Sequence, residues 1–219
     1  CRRPSRRIAA TEPRRAHLRV LVPVGKVPDA RQRGSRVAAL RHLGKVLPVV
    51  LGDLHHVVEA RIVRVPHLGE PEGRDSLNAV AWPAAVLAAR DPDAVVAVVT
   101  ADHIMHPISA FQSALLEGFE VAESAEEFLV TFGVVPTAPH TGYGYLRRGE
   151  TIRGHPEVFS VIEFKEKPDR PTAEEYLASG EYWWNSGMFV WRARTLLDQL
   201  HLLQPKTHDA VIELAAAPY

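Results

Sequence analysis

Residues 158–189 constrain the fold more than any other part of this sequence. Val158–Phe164 alternates apolar and polar residues, which predicts a β-strand. The strand runs into a Glu-Lys-Pro corner at 166–168, where proline fixes the backbone φ angle. A short helix is predicted next, and a Trp-Asn-Ser-Gly-Met-Phe turn at 184–189 leads into a further strand. A chain that alternates strands and helices in this way is typical of an α/β fold.

The rest of the chain continues the alternation. The segment 94–100 is a continuous apolar run, typical of a strand buried on both faces in a parallel sheet. The β–α–β–α–β order predicts an α/β protein with a mixed, mostly parallel sheet and helices on both faces. The predicted strands are Leu18–Val24, Val46–Leu51, Ala94–Thr100, Glu127–Val135, Val158–Phe164 and Gly187–Arg192, and the helices are Ser76–Arg90, Pro107–Ala125, Thr172–Ser179 and the one that begins at Arg194.

Composition favours a globular intracellular protein. The chain has 219 residues, 46% of them hydrophobic, which is enough for one α/β domain with a core. No apolar run has the length of a membrane span, so no membrane partner is predicted. Cys1 is the single cysteine, which excludes an internal disulfide and fits a reducing cytoplasm. We therefore predict a cytoplasmic protein; whether it forms a homo-oligomer stays open.

The net charge of zero hides an uneven distribution. Residues 1–68 carry a balance of +11, and residues 69–219 carry −11. The basic segment resembles a coding region read in the wrong frame or a degenerate start, and a nucleic-acid-binding arm is the alternative. It has no Phe, Trp or Tyr on which bases could stack, so no nucleic-acid partner is predicted. The predicted domains are this segment and an α/β domain over 69–219.

Four polar residues stand where predicted strands end or begin. Asp102 follows the apolar strand, and a carboxylate there faces the ligand crevice of an α/β sheet, unless it caps the next helix. Glu166, Lys167 and Asn185 supply a carboxylate, an ammonium and an amide, which suit a sugar hydroxyl and a phosphate. The alternative for the first two is a solvated charge run over 163–169.

Two backbone segments are further candidates for ligand contact. The glycines of Thr141-Gly142-Tyr143-Gly144 let backbone amides approach a ligand, although a plain β-turn explains them equally well. Arg74-Asp75-Ser76 opens a predicted helix, whose first N–H groups favour an anion. Simple N-capping is the alternative for this segment.

Six motifs, in this order, resemble those of the sugar-nucleotide pyrophosphorylases, a nucleotidyltransferase family, and most closely those of mannose-1-phosphate guanylyltransferases. The resemblance covers about residues 69–219. The motifs are Glu-Pro-Glu-Gly-Arg-Asp-Ser at 70–76, Thr-Ala-Asp-His at 100–103, Phe-Gly-Val-Val-Pro at 132–136, Thr-Gly-Tyr-Gly-Tyr at 141–145, Phe-Lys-Glu-Lys-Pro at 164–168 and Trp-Asn-Ser-Gly-Met-Phe at 184–189.

The resemblance implies a Rossmann-like nucleotide-diphospho-sugar transferase fold, incomplete at both ends, and a reaction of GTP with mannose 1-phosphate that yields GDP-mannose and pyrophosphate. It implies that Asp102 is one of two acids that hold Mg²⁺, and no candidate for the second is found. The implied roles are a phosphate contact for Lys167, sugar contacts for Gly142, Tyr143, Glu166 and Asn185, and nucleotide contacts for Arg74, Asp75 and Ser76.

One departure from the family pattern bears on activity. The family begins with a glycine-rich loop that cradles the triphosphate, and this chain has no Gly-Gly pair anywhere. Gly25-Lys26 and Arg33-Gly34-Ser35-Arg36 are poor substitutes for it. The alternatives are therefore a related sugar-1-phosphate nucleotidyltransferase, or a non-catalytic protein that binds a sugar phosphate or a nucleotide.

Overall fold

The computed structural model of the protein describes residues 18–22, 68, 76–100 and 102–217. The predicted strand Val46–Leu51 lies outside these ranges. The predicted domain boundary falls between residue 68, which is described, and residue 69, which is not. The described strands are β1 (Leu18–Val22), β2 (Val95–Val98), β3 (Leu129–Val134), β4 (Gly144–Ile152), β5 (His155–Glu166) and β6 (Tyr182–Arg192). The described helices are α1 (Ser76–Arg90), α2 (Ile108–Ser124), α3 (Arg170–Ser179), α4 (Ala193–Leu203) and α5 (Pro205–Ala216).

The strands form one mixed sheet in the order β2-β6-β3-β1-β5-β4, with an additional pairing between β6 and β4. The mixed α/β class is confirmed, but the expectation of a mostly parallel sheet is wrong for the described residues. There, only β1 and β5 pair in parallel, and the other pairings are antiparallel. The reason is that β6 lies between β2 and β3 in the opposite direction, and that β4 and β5 form a hairpin, which is antiparallel by construction.

Helices cover both faces of the sheet, as predicted. Alternate residues of β3 and β6 point to opposite faces, as the period of a strand requires. Val130, Phe132 and Val190 pack with α2 in one buried cluster, whereas Trp191 packs with α1 and α4 in another. The helices α1, α4 and α5 also pack on one another through a third cluster. This double cover fixes the ends of β2, β3 and β6.

Helix ends follow the sequence signals closely. α1 spans Ser76–Arg90, as predicted, with Pro83 inside it. Asp169 caps α3, since its carboxylate accepts a hydrogen bond from the Thr172 N–H, N···O 3.0 Å. Gly180 ends α3 in the left-handed conformation that glycine tolerates best, with φ 67°.

Three local features differ from the sequence prediction. No strand is predicted over 144–152, yet these residues form β4. The Trp-Asn-Ser-Gly-Met-Phe segment is no turn but lies within β6, which begins at Tyr182. β2 is only partly buried, and it pairs with β6 alone among the described strands, so it is not the doubly buried parallel strand expected. None of the helices in the described residues combines the length and the apolar character that a membrane crossing requires.

Candidate functional site

The site lies beside a gap along β6. On one side, β3 pairs with β6 from Trp191 back to Trp184. On the other side, β2 pairs with the far end of β6, from Arg192 to Phe189, and β4 pairs with the near end, from Trp184 to Tyr182. Within the described residues, the segment 185–188 of β6 therefore has no strand partner on that side. In this segment Asn185 and Gly187 are partly exposed, whereas Ser186 and Met188 are buried, so Asn185 and Gly187 are the positions that a ligand can reach.

Two chain segments reach this gap from opposite ends. β2 runs antiparallel to β6 with Val98 opposite Phe189, so the chain that leaves β2 comes out beside the gap. Asp102 follows four residues after Val98. β4 has Tyr145 opposite Trp184, so the chain that enters β4, residues 141–144, arrives at the other end. The strand pairings thus bring the chain that leads to Asp102 and the glycine loop to the two ends of the same gap.

The β5 corner is joined directly to the glycine loop. Gly144 lies opposite Glu166 in the β4–β5 ladder, and the Lys167 N–H donates to the Tyr143 carbonyl, N···O 3.2 Å. A Cβ atom on Gly144 would lie 2.8 Å from Cζ of Phe164 and 2.9 Å from Oε2 of Glu166. A side chain at position 144 would therefore press on the Phe164 ring and on the carboxylate of Glu166.

Lys167 holds an unusual backbone conformation. Its φ angle is 42°, and it is the one described residue other than glycine with a positive φ. A left-handed conformation is costly for a residue with a Cβ, and it is often found where function requires it. The conformation turns the chain from β5 toward α3 and places Nζ of Lys167 3.3 Å from Oε1 of Glu166. The Lys167 side chain is 51% exposed, so its ammonium can meet an incoming anion.

Asn185 is held by two hydrogen bonds to its carbonyl oxygen. Oδ1 accepts from the Thr131 hydroxyl, O···O 3.2 Å, and from the Gly187 N–H, N···O 3.3 Å. Gly187 has φ 71°, a conformation that suits glycine. Because Oδ1 is occupied on the protein side, the Nδ2 amino group is the part of Asn185 best placed to donate to a ligand.

An aromatic cluster borders the loop. The rings of His140 and Tyr143 stack with centroids 4.1 Å apart, and the Tyr143 ring meets Trp184 at 5.2 Å in an edge-to-face arrangement. The buried Tyr145 hydroxyl donates to the His140 carbonyl, O···O 2.8 Å, and the Gly142 N–H donates to Nδ1 of His140, N···N 3.1 Å. These contacts hold the loop rigid while they leave Tyr143 45% exposed at its surface.

The remaining predicted site residues are less well defined by the structure. Asp102 lies in a turn with its side chain 88% exposed, and Oδ1 is 4.0 Å from Nε2 of His103. Arg74 and Asp75 lie outside the described residues, and Ser76 is described only as the first residue of α1. The structure therefore brings together Gly142, Tyr143, Glu166 and Lys167, places Asn185 and Asp102 at the same sheet edge, and leaves the nucleotide segment undescribed.

Charges on the neighbouring face of β5 form a separate network. The Lys165 ammonium is 2.9 Å from Oε1 of Glu163, and it holds the pKa of that carboxyl below its usual value. The same contact raises the pKa of Lys165. The Tyr182 hydroxyl donates to Oε2 of Glu163, O···O 3.0 Å. Burial, and then this bond to a carboxylate, raise the pKa of Tyr182 to about 12.

Sequence reasoning does not find the residues that orient the site. Thr131 is 7% exposed, and its hydroxyl lies between Oδ1 of Asn185 and the carbonyl of Met188. The available signal is a lone hydroxyl in the apolar strand at 129–134. Trp184 belongs to the motif at 184–189, but the sequence gives no signal that it or His140 supports the loop, because their contacts depend on the pairing of β4 with β6. Trp183 is buried with Leu146, as expected for a core aromatic.

Comparison with known proteins identifies similar sequences. The profile of the nucleotidyl transferase family matches residues 41–218, so the similarity begins ahead of the motifs at 69–219. Mannose-1-phosphate guanylyltransferase of Escherichia coli (strain K12) is 43% identical over 145 residues, 64% of this chain and 30% of that protein. Mannose-1-phosphate guanylyltransferase RfbM of Salmonella typhimurium (strain LT2) is 44% identical over 194 residues, 85% of this chain and 39% of that protein.

A solved structure agrees with these sequence matches. The crystal structure described as mannose-1-phosphate geranyltransferase from Thermus thermophilus superposes with a TM-score of 0.60 at 32% identity. The match covers 69% of this chain and 43% of that chain. This chain thus spans less than half the length of each of these relatives.

Proposed function

Because the chain belongs to the nucleotidyl transferase family, we propose that it acts in the transfer of a guanylyl group from GTP to mannose 1-phosphate, with GDP-mannose and pyrophosphate as products. The names of the similar proteins from Escherichia coli and Salmonella typhimurium support the choice of sugar phosphate and nucleotide. The observation that carries the proposal is the junction of the Glu166–Lys167 corner with the glycine loop, beside the gap along β6.

The reaction needs two anions to approach each other. An oxygen of the sugar phosphate attacks the α-phosphorus of GTP, a new P–O bond forms, and the bond from the α-phosphorus to the bridging oxygen breaks as pyrophosphate leaves. Such transfers depend on positioning and on stabilisation of charge. The Lys167 ammonium, half exposed at the corner, pairs with the phosphate of mannose 1-phosphate and lowers the repulsion between the reactants.

The sugar is bound by two side chains, Glu166 and Asn185, and by the glycine loop. The Glu166 carboxylate accepts from sugar hydroxyls, and the Nδ2 group of Asn185 donates to one, because its Oδ1 is already bound by Thr131 and Gly187. Gly142 allows close approach of the loop backbone. The exposed face of Tyr143 borders the sugar, held in place by His140 and Trp184. Thr131 is a positioning residue, since it acts through Asn185.

Asp102 is the residue that would hold Mg²⁺. Its side chain is largely exposed at the edge of the sheet, and carboxylate oxygens together with phosphate oxygens are the ligands that Mg²⁺ prefers. When bound, Mg²⁺ neutralises charge on the phosphates and fixes their orientation. Arg74, Asp75 and Ser76 are proposed to contact the base and ribose of the nucleotide; Ser76 is the first residue of α1, and the other two precede it in the sequence.

A second candidate function is binding of mannose 1-phosphate without turnover. One observation favours it: the chain lacks a Gly-Gly pair, so the loop that cradles the triphosphate in the family is not recognisable. The sugar side of the site does not depend on that loop. The two functions therefore predict the same sugar-phosphate binding and differ in the release of pyrophosphate.

The test measures both properties on the purified chain. Pyrophosphate release is assayed with GTP, Mg²⁺ and mannose 1-phosphate, and binding of mannose 1-phosphate is measured by calorimetry. The variants are Lys167→Ala and Asp102→Asn. The control is Lys165→Ala, which removes an ammonium of similar exposure (49% against 51%) from the same part of the chain. Loss of a charge-stabilising group is expected to lower kcat on the order of 10²–10³-fold.

Each outcome separates the candidates. Release that depends on mannose 1-phosphate, and that is lost in Lys167→Ala and Asp102→Asn but kept in Lys165→Ala, supports the transferase. The second candidate is supported when the parent chain binds mannose 1-phosphate but releases no pyrophosphate. In that case Lys167→Ala loses the binding and Lys165→Ala keeps it. A folded chain whose binding is unchanged by Lys167→Ala refutes the assigned site.

A further inference from the structure

The helical pair α4–α5 carries a cluster of metal-ligand atoms that the proposed reaction does not use. His201 lies in the last turn of α4, and His208 and Asp209 lie in α5. Nδ1 of His201 is 3.4 Å from Nδ1 of His208, which in turn is 3.0 Å from Oδ1 of Asp209. One ligand atom from each residue lies within 4.8 Å of the others. Two imidazole nitrogens and a carboxylate oxygen therefore converge on one point.

The fold fixes the backbone that carries these residues. The Gln204 N–H donates to the Leu200 carbonyl, N···O 2.7 Å, and the Gln204 carbonyl accepts from the His208 N–H, N···O 3.0 Å. One residue thus ends α4 and begins α5, so the two helices meet with no intervening loop. Leu200 and Val211 anchor the pair, since both are buried against α1. The helical backbone under the cluster is consequently set by core packing, while the side chains of His201 and Asp209 are exposed.

No single tautomer of His208 gives it a good hydrogen bond to both of its neighbours in the cluster. A neutral imidazole nitrogen is either a donor or an acceptor. With a proton on Nδ1, His208 donates to Asp209 and leaves His201 at 3.4 Å, beyond the distance of a good hydrogen bond. Without that proton, the lone pair of His208 faces the carboxylate oxygens. A cation resolves both cases, because it accepts a lone pair from all three residues.

The distances suit a small transition ion. Zinc binds imidazole nitrogen at about 2.0–2.1 Å, and two such ligands at a tetrahedral angle are about 3.3–3.4 Å apart. The two Nδ1 atoms have a separation of 3.4 Å. The Oδ1 of Asp209 is slightly too close to His208 at 3.0 Å, but its side chain is 75% exposed and can move.

We propose that His201, His208 and Asp209 form a binding site for a divalent transition-metal ion, with Zn²⁺ as the expected occupant and water in the fourth position. Imidazole nitrogens favour ions such as Zn²⁺, Ni²⁺ and Co²⁺, whereas Mg²⁺ and Ca²⁺ favour oxygen ligands. The site is therefore distinct from the Mg²⁺ of the proposed reaction. A bound ion would cross-link the end of α4 to the start of α5.

The experiment titrates the purified full chain, first stripped with a chelator that is then removed, with Zn²⁺ in excess Mg²⁺. The variants are His201→Gln, His208→Gln and the double variant. The control is His155→Gln, which alters a partly buried histidine in the β4–β5 hairpin. Calorimetry measures affinity and stoichiometry, and the visible absorption of the Co²⁺-loaded chain reports the ligand geometry. Circular dichroism verifies that each variant is folded.

Each single variant is expected to bind Zn²⁺ at least about 10-fold more weakly, in line with losses seen when metal sites are altered. The double variant is expected to lose one equivalent of Zn²⁺ and the Co²⁺ absorption band, while His155→Gln keeps both. The proposal is overturned when the double variant retains the stoichiometry of the parent, when His155→Gln weakens binding equally, or when Mg²⁺ displaces the ion. Other histidines that bind Zn²⁺ contribute equally to parent and variants and cancel in the comparison.

Discussion

Lys167 offers the sharpest test of the candidate site, because a glycine at this position would relieve backbone strain and would also remove the ammonium assigned to the ligand. Its φ of 42° is unfavourable for any residue with a Cβ, and glycine would remove the strain. Its ammonium is the group assigned to the sugar phosphate, and glycine would remove that too. We therefore predict that Lys167→Gly is more stable than Lys167→Ala, yet equally unable to bind mannose 1-phosphate.

The magnitude follows from two terms. A left-handed conformation costs a residue with a Cβ about 1–2 kcal/mol relative to glycine. Glycine in turn loses about 0.4–1 kcal/mol through the greater freedom of the unfolded chain. The net expectation is a free energy of unfolding about 0.8 kcal/mol higher for Lys167→Gly than for Lys167→Ala, from the midpoints of those ranges. Both variants lose the 3.3 Å contact of Lys167 with Glu166, so that contact cancels in the comparison.

Urea denaturation of the two variants measures the difference directly, and calorimetry with mannose 1-phosphate measures the loss of binding. A Lys167→Ala variant that is about 0.4–1 kcal/mol more stable than Lys167→Gly would show that the corner carries no backbone strain, because only the entropic cost of glycine would then remain. Retained binding in Lys167→Gly would remove Lys167 from the site. The combined result expected here, a Lys167→Gly variant more stable than Lys167→Ala with binding lost in both, is typical of backbone strain held at a functional residue.

Three further predictions concern neighbouring residues. Gly144→Ala is expected to lower the free energy of unfolding by about 1–3 kcal/mol and to weaken sugar-phosphate binding, because the new Cβ atom would press on Phe164. An unchanged midpoint of urea denaturation together with an unchanged affinity would contradict this prediction. The pKa of Tyr182 is raised from 10.0 to about 12, so its contribution to the free energy of unfolding is full below pH 10 and is lost between pH 10 and 12. The free energy of unfolding of Tyr182→Phe should therefore fall less than that of the parent over this interval. An equal fall in both proteins would refute the assignment. Asp169→Ala should destabilise α3 more than Asp169→Asn, because asparagine also accepts the Thr172 N–H. The Thr172 side chain, and then its N–H, lower the pKa of Asp169, so the deficit of Asp169→Ala should shrink in denaturation curves as pH falls through the carboxyl's folded-state pKa.

Local signals in the sequence predict four of the five described helices, although α3 begins two residues before its predicted start at Thr172 and α5 is not predicted. The bounds of α1 follow from its apolar spacing and the Asp-Pro stop, and those of α3 from Asp169 and Gly180. Each of these signals acts within one or two turns of the residue that carries it. The prediction that Asp102 lies at a strand end is local in the same way, because it uses only the apolar run that precedes this residue.

The directions and lengths of the strands depend on distant partners, and the sequence does not predict them. A glycine beside Asn and Ser is typical of a turn, so the sequence predicts that β6 begins near Gly187. In the structure its first half begins at Tyr182 and is held between β3 and β4. β4 has no clear strand signal because 147–153 is rich in polar residues; its pairing with β5 and β6 is decided by those strands and not by its own composition.

The same distinction explains which part of the site is predictable. Glu166 and Lys167 are adjacent in the chain, so a motif is enough to join them. The approach of Tyr143 to Lys167, and of Thr131 to Asn185, depends on hydrogen bonds between strands that are far apart in sequence. The gap along β6 has no sequence signature at all, since it arises where β2 stops short of β4 on the same side of one strand. Residues that do chemistry can thus be recognised by their type, whereas the space in which they act is created by the pairing of the strands around it.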